Sequence, residues 1–204
     1  AQCLDINRGD KLKYLVSMSS PSLGLEEFVE ENLDADNPWA KRDFVLGDVN
    51  TSLIKTAKGR TIVLGHSTNV PRPYSRQILL QGTAGIMRKY PNPLIHIEDK
   101  SPSHRWEKAE EYYKEYEHPV WKKMRKEKIE GRGHGGMDYI EDYRLINALL
   151  TGKQPDIDVY DGALWSAIAE VTERSVAKNS APVEIPDFTR GAWKNREPLE
   201  FDPF

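Results

Sequence analysis

Short runs of apolar residues, each with a recognisable period, divide this chain into elements. Between Leu12 and Ser20, the residues Tyr14, Leu15, Val16 and Met18 make a strand-like run that stops at Ser19-Ser20-Pro21. Leu25, Phe28, Val29 and Leu33 recur at helical spacing through the acidic stretch 25–36. Asn37-Pro38 then starts a short helix with Trp39 and Phe44 as its apolar anchors. The β-rich runs 49–56 and 60–68 flank Ala57-Lys58-Gly59 and predict a hairpin. A second hairpin is expected from 77–82 and 85–90 around Thr83-Ala84, with one more strand at 94–98.

Beyond residue 100 the period changes. Residues 100–132 are a charged, aromatic-rich excursion in which Trp106, Tyr112, Tyr113, Tyr116 and Trp121 sit among Lys and Glu. They anchor the excursion onto the sheet or offer faces to a sugar. The basic run 122–128 is interleaved with Glu127 and Glu130, the pattern of a solvated helix face. Next comes a helix with Ile140, Tyr143, Ile146 and Leu149 on one face, stopped by Gly152 and Pro155. Asp158 is the expected N-cap of a last helix, whose Gly162, Ala163, Ser166, Ala167 and Ala169 predict a small-residue packing face. With no internal repeat, the whole of 1–204 reads as one α+β domain, a mostly antiparallel β-sheet with helices packed on one face.

Composition removes several partners. A net charge of −3, from 29 basic and 32 acidic residues, creates no field for a polyanion, so nucleic acid is not expected. No apolar run reaches the length of a membrane span. Cys3 is the only cysteine, which rules out an internal disulfide and leaves the redox compartment open. His66, His96, His104 and His118 have no His at i+4 and no Cys neighbour, so no metal site is expected.

Seven motifs in order carry a resemblance. They are GDVN (47–50), PRPYSR (71–76), RKYP (88–91), YEHPVWK (116–122), GHGGMD (133–138), DVYD (158–161) and PDFTRGAWK (186–194). Together with the helix–turn–helix–strand order after His134, they resemble the C-terminal domain of Gfo/Idh/MocA oxidoreductase-like proteins, most closely glycoside hydrolase family 109. The resemblance covers essentially the whole chain. It implies the dihydrodipicolinate-reductase-like C-terminal fold of that group, and an NAD-dependent parent enzyme that hydrolyses α-N-acetylgalactosaminides. There, transient oxidation of the sugar at C3 acidifies the C2 proton, the C1 substituent is eliminated, water adds and the hydride returns. Such chemistry does not need the carboxylate pair of ordinary glycosidases, and none is nominated here.

Family members begin with a Rossmann half whose Gly-rich turn follows a strand, and no such turn occurs in this chain. The expectation is a C-terminal substrate-side domain that starts inside a truncated helix at 1–7. NAD would be held mainly by the missing half, and the chain alone would be inactive. The compartment is left open; a periplasmic or secreted bacterial parent is compatible with the sequence.

Tyr74 is the leading candidate for the chemistry. Pro71 and Pro73 stiffen the loop that carries it, and a phenol can hydrogen-bond a sugar hydroxyl or exchange a proton with the leaving group or water. The resemblance places a sugar-contacting tyrosine here; without it, a loop tyrosine packed over the core is the simpler reading. His134, among Gly133, Gly135 and Gly136, is a second substrate-binding candidate, with a capping histidine in a glycine hinge as its alternative. Arg72 and Arg76 are candidates for sugar oxygens, with surface pairing as the alternative. Two further function classes stay open: the same domain in a sugar dehydrogenase, and a non-enzymatic oligomerisation or carbohydrate-binding module. Sheets of this family commonly pack face to face between subunits, so the resemblance also implies a homo-oligomer through the sheet.

Overall fold

The computed structural model describes residues 1–126 and 133–199. In chain order the elements are β1 (Leu12–Ser19), α1 (Leu23–Asn32), β2 (Val49–Thr56), β3 (Thr61–Ser67), β4 (Leu79–Gly82), β5 (Gly85–Arg88), β6 (Leu94–Ile97), β7 (Glu107–Lys108), α2 (Tyr113–Tyr116), α3 (Pro119–Lys126), α4 (Gly133–Thr151), α5 (Val159–Ala177) and β8 (Val183–Glu184). The fold is α+β, and every pairing between these strands is antiparallel. Both predicted hairpins form. The sheet, however, is two sheets, ordered β3-β2-β1-β8 and β4-β5-β6-β7, and the chain divides into two compact units that hold one each.

The first unit comprises 1–71 and 156–199. Its core is Ile6, Leu12, Leu15, Ile54, Leu164, Val171, Val183 and Ile185, with α5 laid across β1 and β8. Asp158 caps α5 as expected: its side chain accepts from the N–H groups of Tyr160 and Asp161, while the Asp161 carboxylate accepts from the Asp158 N–H in a reciprocal box. The packing face of α5 corrects the expectation. Gly162, Ser166 and Ala169 are exposed, and the helix instead buries Asp161, Leu164, Val171 and Ser175, with Ile168 packed beside them. Steps of three and four residues keep that set on one side of the helix, and the larger side chains fill the space above the sheet.

Two buried serines of this unit are matched across elements. Ser175 Oγ accepts from the Ser17 N–H at 2.9 Å and donates to the Ala181 carbonyl at 2.8 Å, tying the end of α5 to the middle of β1. The GDVN motif is also structural. Gly24 N–H donates to the Asp48 carboxylate at 2.9 Å, which caps α1, and a Cβ at Gly47 would lie 2.0 Å from the Ser20 carbonyl oxygen. Asp187 of the PDFTRGAWK motif accepts from Thr189 and Gly191, closing the turn before Trp193. Residues 2–4 form a single 3-10 turn. Trp39, expected as an anchor, is exposed and stacks on Arg42 instead.

The second unit contains 72–155. Its four short strands are half-buried at β5 and β6, and their register sets Leu79 opposite Arg88, Arg88 opposite Leu94, and Leu94 opposite Lys108. The excursion folds as β7, a 3-10 turn, α2 and α3, with Val120 and Met124 buried; the remainder of it, 127–132, lies outside the described residues. Tyr112 donates its phenol proton to Glu107 at 2.6 Å. Contacts with Ser101 and Tyr112 hold the Glu107 carboxyl below the usual carboxylate range, and the same carboxylate pushes the Tyr112 phenol up. On α4 the expected stripe is only half buried: Ile140 and Tyr143 turn inward, whereas Ile146 and Leu149 are exposed and Ala148 takes the buried position. Gly152 ends the helix with a left-handed φ of 67°.

Candidate functional site

The PRPYSR motif forms the loop that leads into β4. Arg72 Nη2 donates to the Ser75 carbonyl at 2.8 Å, and the Gln77 N–H donates to Ser75 Oγ at 3.0 Å, so the loop is braced by its own polar groups. Tyr74 stands out from it, 72 % exposed. Arg76 Nε donates to the Tyr74 phenol oxygen at 2.8 Å, with the guanidinium carbon 5.9 Å from the ring centroid. Tyr90, just past the end of β5, meets the Tyr74 ring edge-on, with centroids 5.8 Å apart and planes at 80°. Register explains the meeting. Leu79 pairs with Arg88, so the chain before β4 and the chain after β5 leave the sheet at the same end.

Two of the four candidates are thus brought together, Tyr74 and Arg76, while Arg72 acts on the loop's own backbone. The sequence alone does not place Tyr90 of the RKYP motif beside Tyr74; hairpin register is the signal that could do so. The arrangement is a phenol whose oxygen already accepts one charge-assisted hydrogen bond and whose own proton remains to donate to an acceptor such as a sugar oxygen.

His134 sits in a separate arrangement. His134, Gly135 and Gly136 all take left-handed backbone angles at the start of α4, with φ of 46°, 73° and 92°. The turn brings His134 Nδ1 to 2.9 and 3.0 Å from the two Asp138 carboxylate oxygens, and the imidazole is 74 % exposed. The carboxylate accepts, so Nδ1 carries the proton and Nε2 is left for another partner. Asp138 also explains Gly133, where a Cβ would lie 2.4 Å from the carboxylate. The glycine hinge is present, and the spacing of four residues from His134 to Asp138 was legible in GHGGMD.

Among the described residues no group of three His, Cys, Asp or Glu could hold a metal ion, and no helix is long and apolar enough to cross a membrane.

The model of the glycosyl hydrolase 109 C-terminal domain matches residues 1–195. The chain belongs to glycosyl hydrolase family 109. It is 46 % identical over 201 residues to a glycosyl hydrolase family 109 protein of Shewanella sp. strain ANA-3, covering 98 % of this chain and 44 % of that protein. It is 44 % identical over 198 residues to an alpha-N-acetylgalactosaminidase of Tannerella forsythia, covering 97 % of this chain and 42 % of the enzyme. This family 109 chain therefore spans less than half the length of these relatives. Among solved structures, a levoglucosan dehydrogenase in complex with NADH and levoglucosan superposes with a TM-score of 0.56 at 16 % identity, covering 86 % of this chain and 45 % of that one. An oxidoreductase domain protein from Kribbella flavida gives 0.55 at 15 % identity, covering 87 % and 46 %. These likenesses show that the chain shares its fold with the matching part of these oxidoreductases.

Among the described residues, no glycine-rich turn joins a strand to a helix and no parallel βαβ unit occurs.

Proposed function

We propose that this chain is the substrate-side domain of an NAD-dependent glycosidase that hydrolyses α-linked N-acetylgalactosaminides. The observation that carries the reading is the exposed Tyr74 phenol, held by Arg76 on one side and edged by Tyr90 on the other. In this reading Tyr74 binds a sugar hydroxyl and moves a proton at its phenol oxygen, Arg76 fixes the phenol's direction, Arg72 shapes the loop, and His134 offers Nε2 to the substrate. The name of the Tannerella forsythia relative supports the sugar. The nicotinamide belongs to the remainder of the longer enzyme, so no step of this chain is drawn through it, and the chain by itself is expected not to turn over.

The reading extends to assembly. One row of the first sheet's face away from α5 is Val16, Leu53 and Val63, side by side across three strands, with Leu53 48 % and Val63 69 % exposed. A second copy of the chain is the proposed cover for this face.

The test is to assay the longer enzyme on an aryl α-N-acetylgalactosaminide, with and without NAD, following aglycone and NADH together. Aglycone release that requires NAD without accumulating NADH is the expected result. Stoichiometric NADH without aglycone would make the protein a sugar dehydrogenase, and neither signal would leave a binding or oligomerisation role.

A further inference from the structure

A recess at the other end of the second sheet takes no part in the reading above. Tyr74 and Tyr90 lie where β4 begins and β5 finishes; the recess lies where β5 begins and β6 ends. Four-residue strands separate the two strand ends by about 13 Å, and Trp106 reaches back along the sheet to Arg88 at the far end of β5. The loop 98–106 turns over this end, and Asp99 and His104 give it its bend with left-handed φ of 62° and 58°. It is held by its own bonds: the Ile97 N–H donates to Ser101 Oγ at 2.8 Å, and His96 Nδ1 donates to the Arg105 carbonyl at 2.9 Å. The hollow beneath has a volume of about 610 Å³ and is lined by, among others, Ile86, His96, Glu98, Asp99, His104 and Trp106.

We propose that this recess is a second carbohydrate-binding site, which takes one uncharged pyranose ring against Trp106. The indole is 41 % exposed, and the Arg88 guanidinium lies 5.4 Å from its ring centroid, so the platform is held from within the same sheet. Around it stand two carboxylates and two imidazoles, acceptors and donors suited to ring hydroxyls. Other ligand classes fit less well. Glu98 and Asp99 offset Arg105 of the lining and Arg88 beside Trp106, so no net positive charge gathers there to hold phosphate. The described residues offer no three-ligand set for a metal. An apolar ligand would strand the polar groups without partners. A ring with an apolar face and peripheral hydroxyls satisfies both halves of the lining.

The test uses the 204-residue chain, ¹⁵N-labelled and titrated with N-acetylgalactosamine, with galactose and with inorganic phosphate, while the backbone amides of His96, Glu98, Asp99 and His104 and, where present, the Trp106 indole N–H are followed by NMR. Saturable shifts with either sugar are expected, with a dissociation constant on the order of 1–10 mM. Trp106→Ala should weaken binding at the recess at least about tenfold. Asp99→Asn, which suits the left-handed backbone, should also weaken binding and serves if Trp106→Ala fails to fold. No saturation of the Trp106 signal by about 50 mM sugar would overturn the site. So would loss of binding in Tyr74→Phe with Trp106→Ala unaffected, or tighter binding of phosphate than of either sugar. None of these outcomes depends on the glycosidase assay.

Discussion

Arg8 grips Asp161 with the two terminal nitrogens of its guanidinium, Nη1 at 3.1 Å from Oδ1 and Nη2 at 2.8 Å from Oδ2, across 153 residues of sequence. Asn7 adds a third hydrogen bond at 3.0 Å, and Arg8 is 6 % and Asp161 1 % exposed. The pair ties the segment before β1 to the first turn of α5, where Asp161 also completes the capping box. Removing one partner strips a buried charge of its nearest counter-ion, leaving Arg8 only the longer ion pair to Asp158 at 3.4 Å, or Asp161 only neutral donors, Asn7 and the Asp158 N–H. Arg8→Met or Asp161→Ala should therefore lower stability by about 3–5 kcal/mol, measured as a fall in the denaturant midpoint. A loss below about 1 kcal/mol would show that water reaches the pair.

The same carboxyl predicts a pH dependence. Burial pushes Asp161 up, but the hydrogen bonds from Arg8 and Asn7 outweigh it and hold the group below its ordinary value. A depressed carboxyl contributes stability that is complete above the unfolded value, about 3.9, and is lost as pH falls through the folded one. Asp187, also held low, adds to the same limb; burial raises it, but Thr189, Lys11 and Gly191 prevail. Melting temperature should drop as pH falls below about 4, and less steeply in Asp161→Asn; equal slopes would exclude Asp161 from the acid limb.

At the candidate site, function and stability should separate. Tyr74 is exposed, so Tyr74→Phe should change stability by no more than about 0.5 kcal/mol. In the longer enzyme it should cut kcat/KM on the order of 100-fold. Arg76→Ala should cost about tenfold, and the double variant should be no worse than Tyr74→Phe alone if Arg76 acts through the phenol. Additive losses would give Arg76 its own contact with substrate.

Gly47 tests a contact rather than a conformation. A Cβ there would meet the Ser20 carbonyl oxygen and Ser19 Oγ at 2.0 and 2.2 Å, and the first of these is backbone. Gly47→Ala should cost at least about 1–3 kcal/mol and loosen the Asp48 cap on α1, visible as faster amide exchange at Gly24. An unchanged melting temperature would mean that the 45–48 segment yields without cost.

If a second copy covers the first sheet, Val63→Glu should shift the protein to a smaller species by light scattering while preserving its circular dichroism. Its position on the face away from α5 keeps it out of the core. A wild-type chain that is already monomeric would remove the proposal.

The local elements were legible because their causes are local. Asp158 could be read as a cap from its place before the helix, Ala57-Lys58-Gly59 as a turn between two β-rich runs, and Gly152 as a stop. The seven ordered motifs carried the family, yet several serve the fold rather than the chemistry: GDVN caps and packs α1, DVYD caps α5 and holds Arg8, and PDFTRGAWK closes a turn. A motif records that residues are needed together and does not say for what.

Only the tertiary structure decided which face of α5 is buried, because Leu164 and Val171 compete with the small residues for the sheet and win by filling volume. It also decided that the strands form two sheets, that Tyr90 and Arg76 flank Tyr74, and that Arg8 finds Asp161. Each of these depends on strand register or on partners distant along the chain, and a one-residue slip would turn every such side chain to the other face. The sequence by itself determined the periods, the caps, the turns and the family likeness; long-range packing supplied the neighbours.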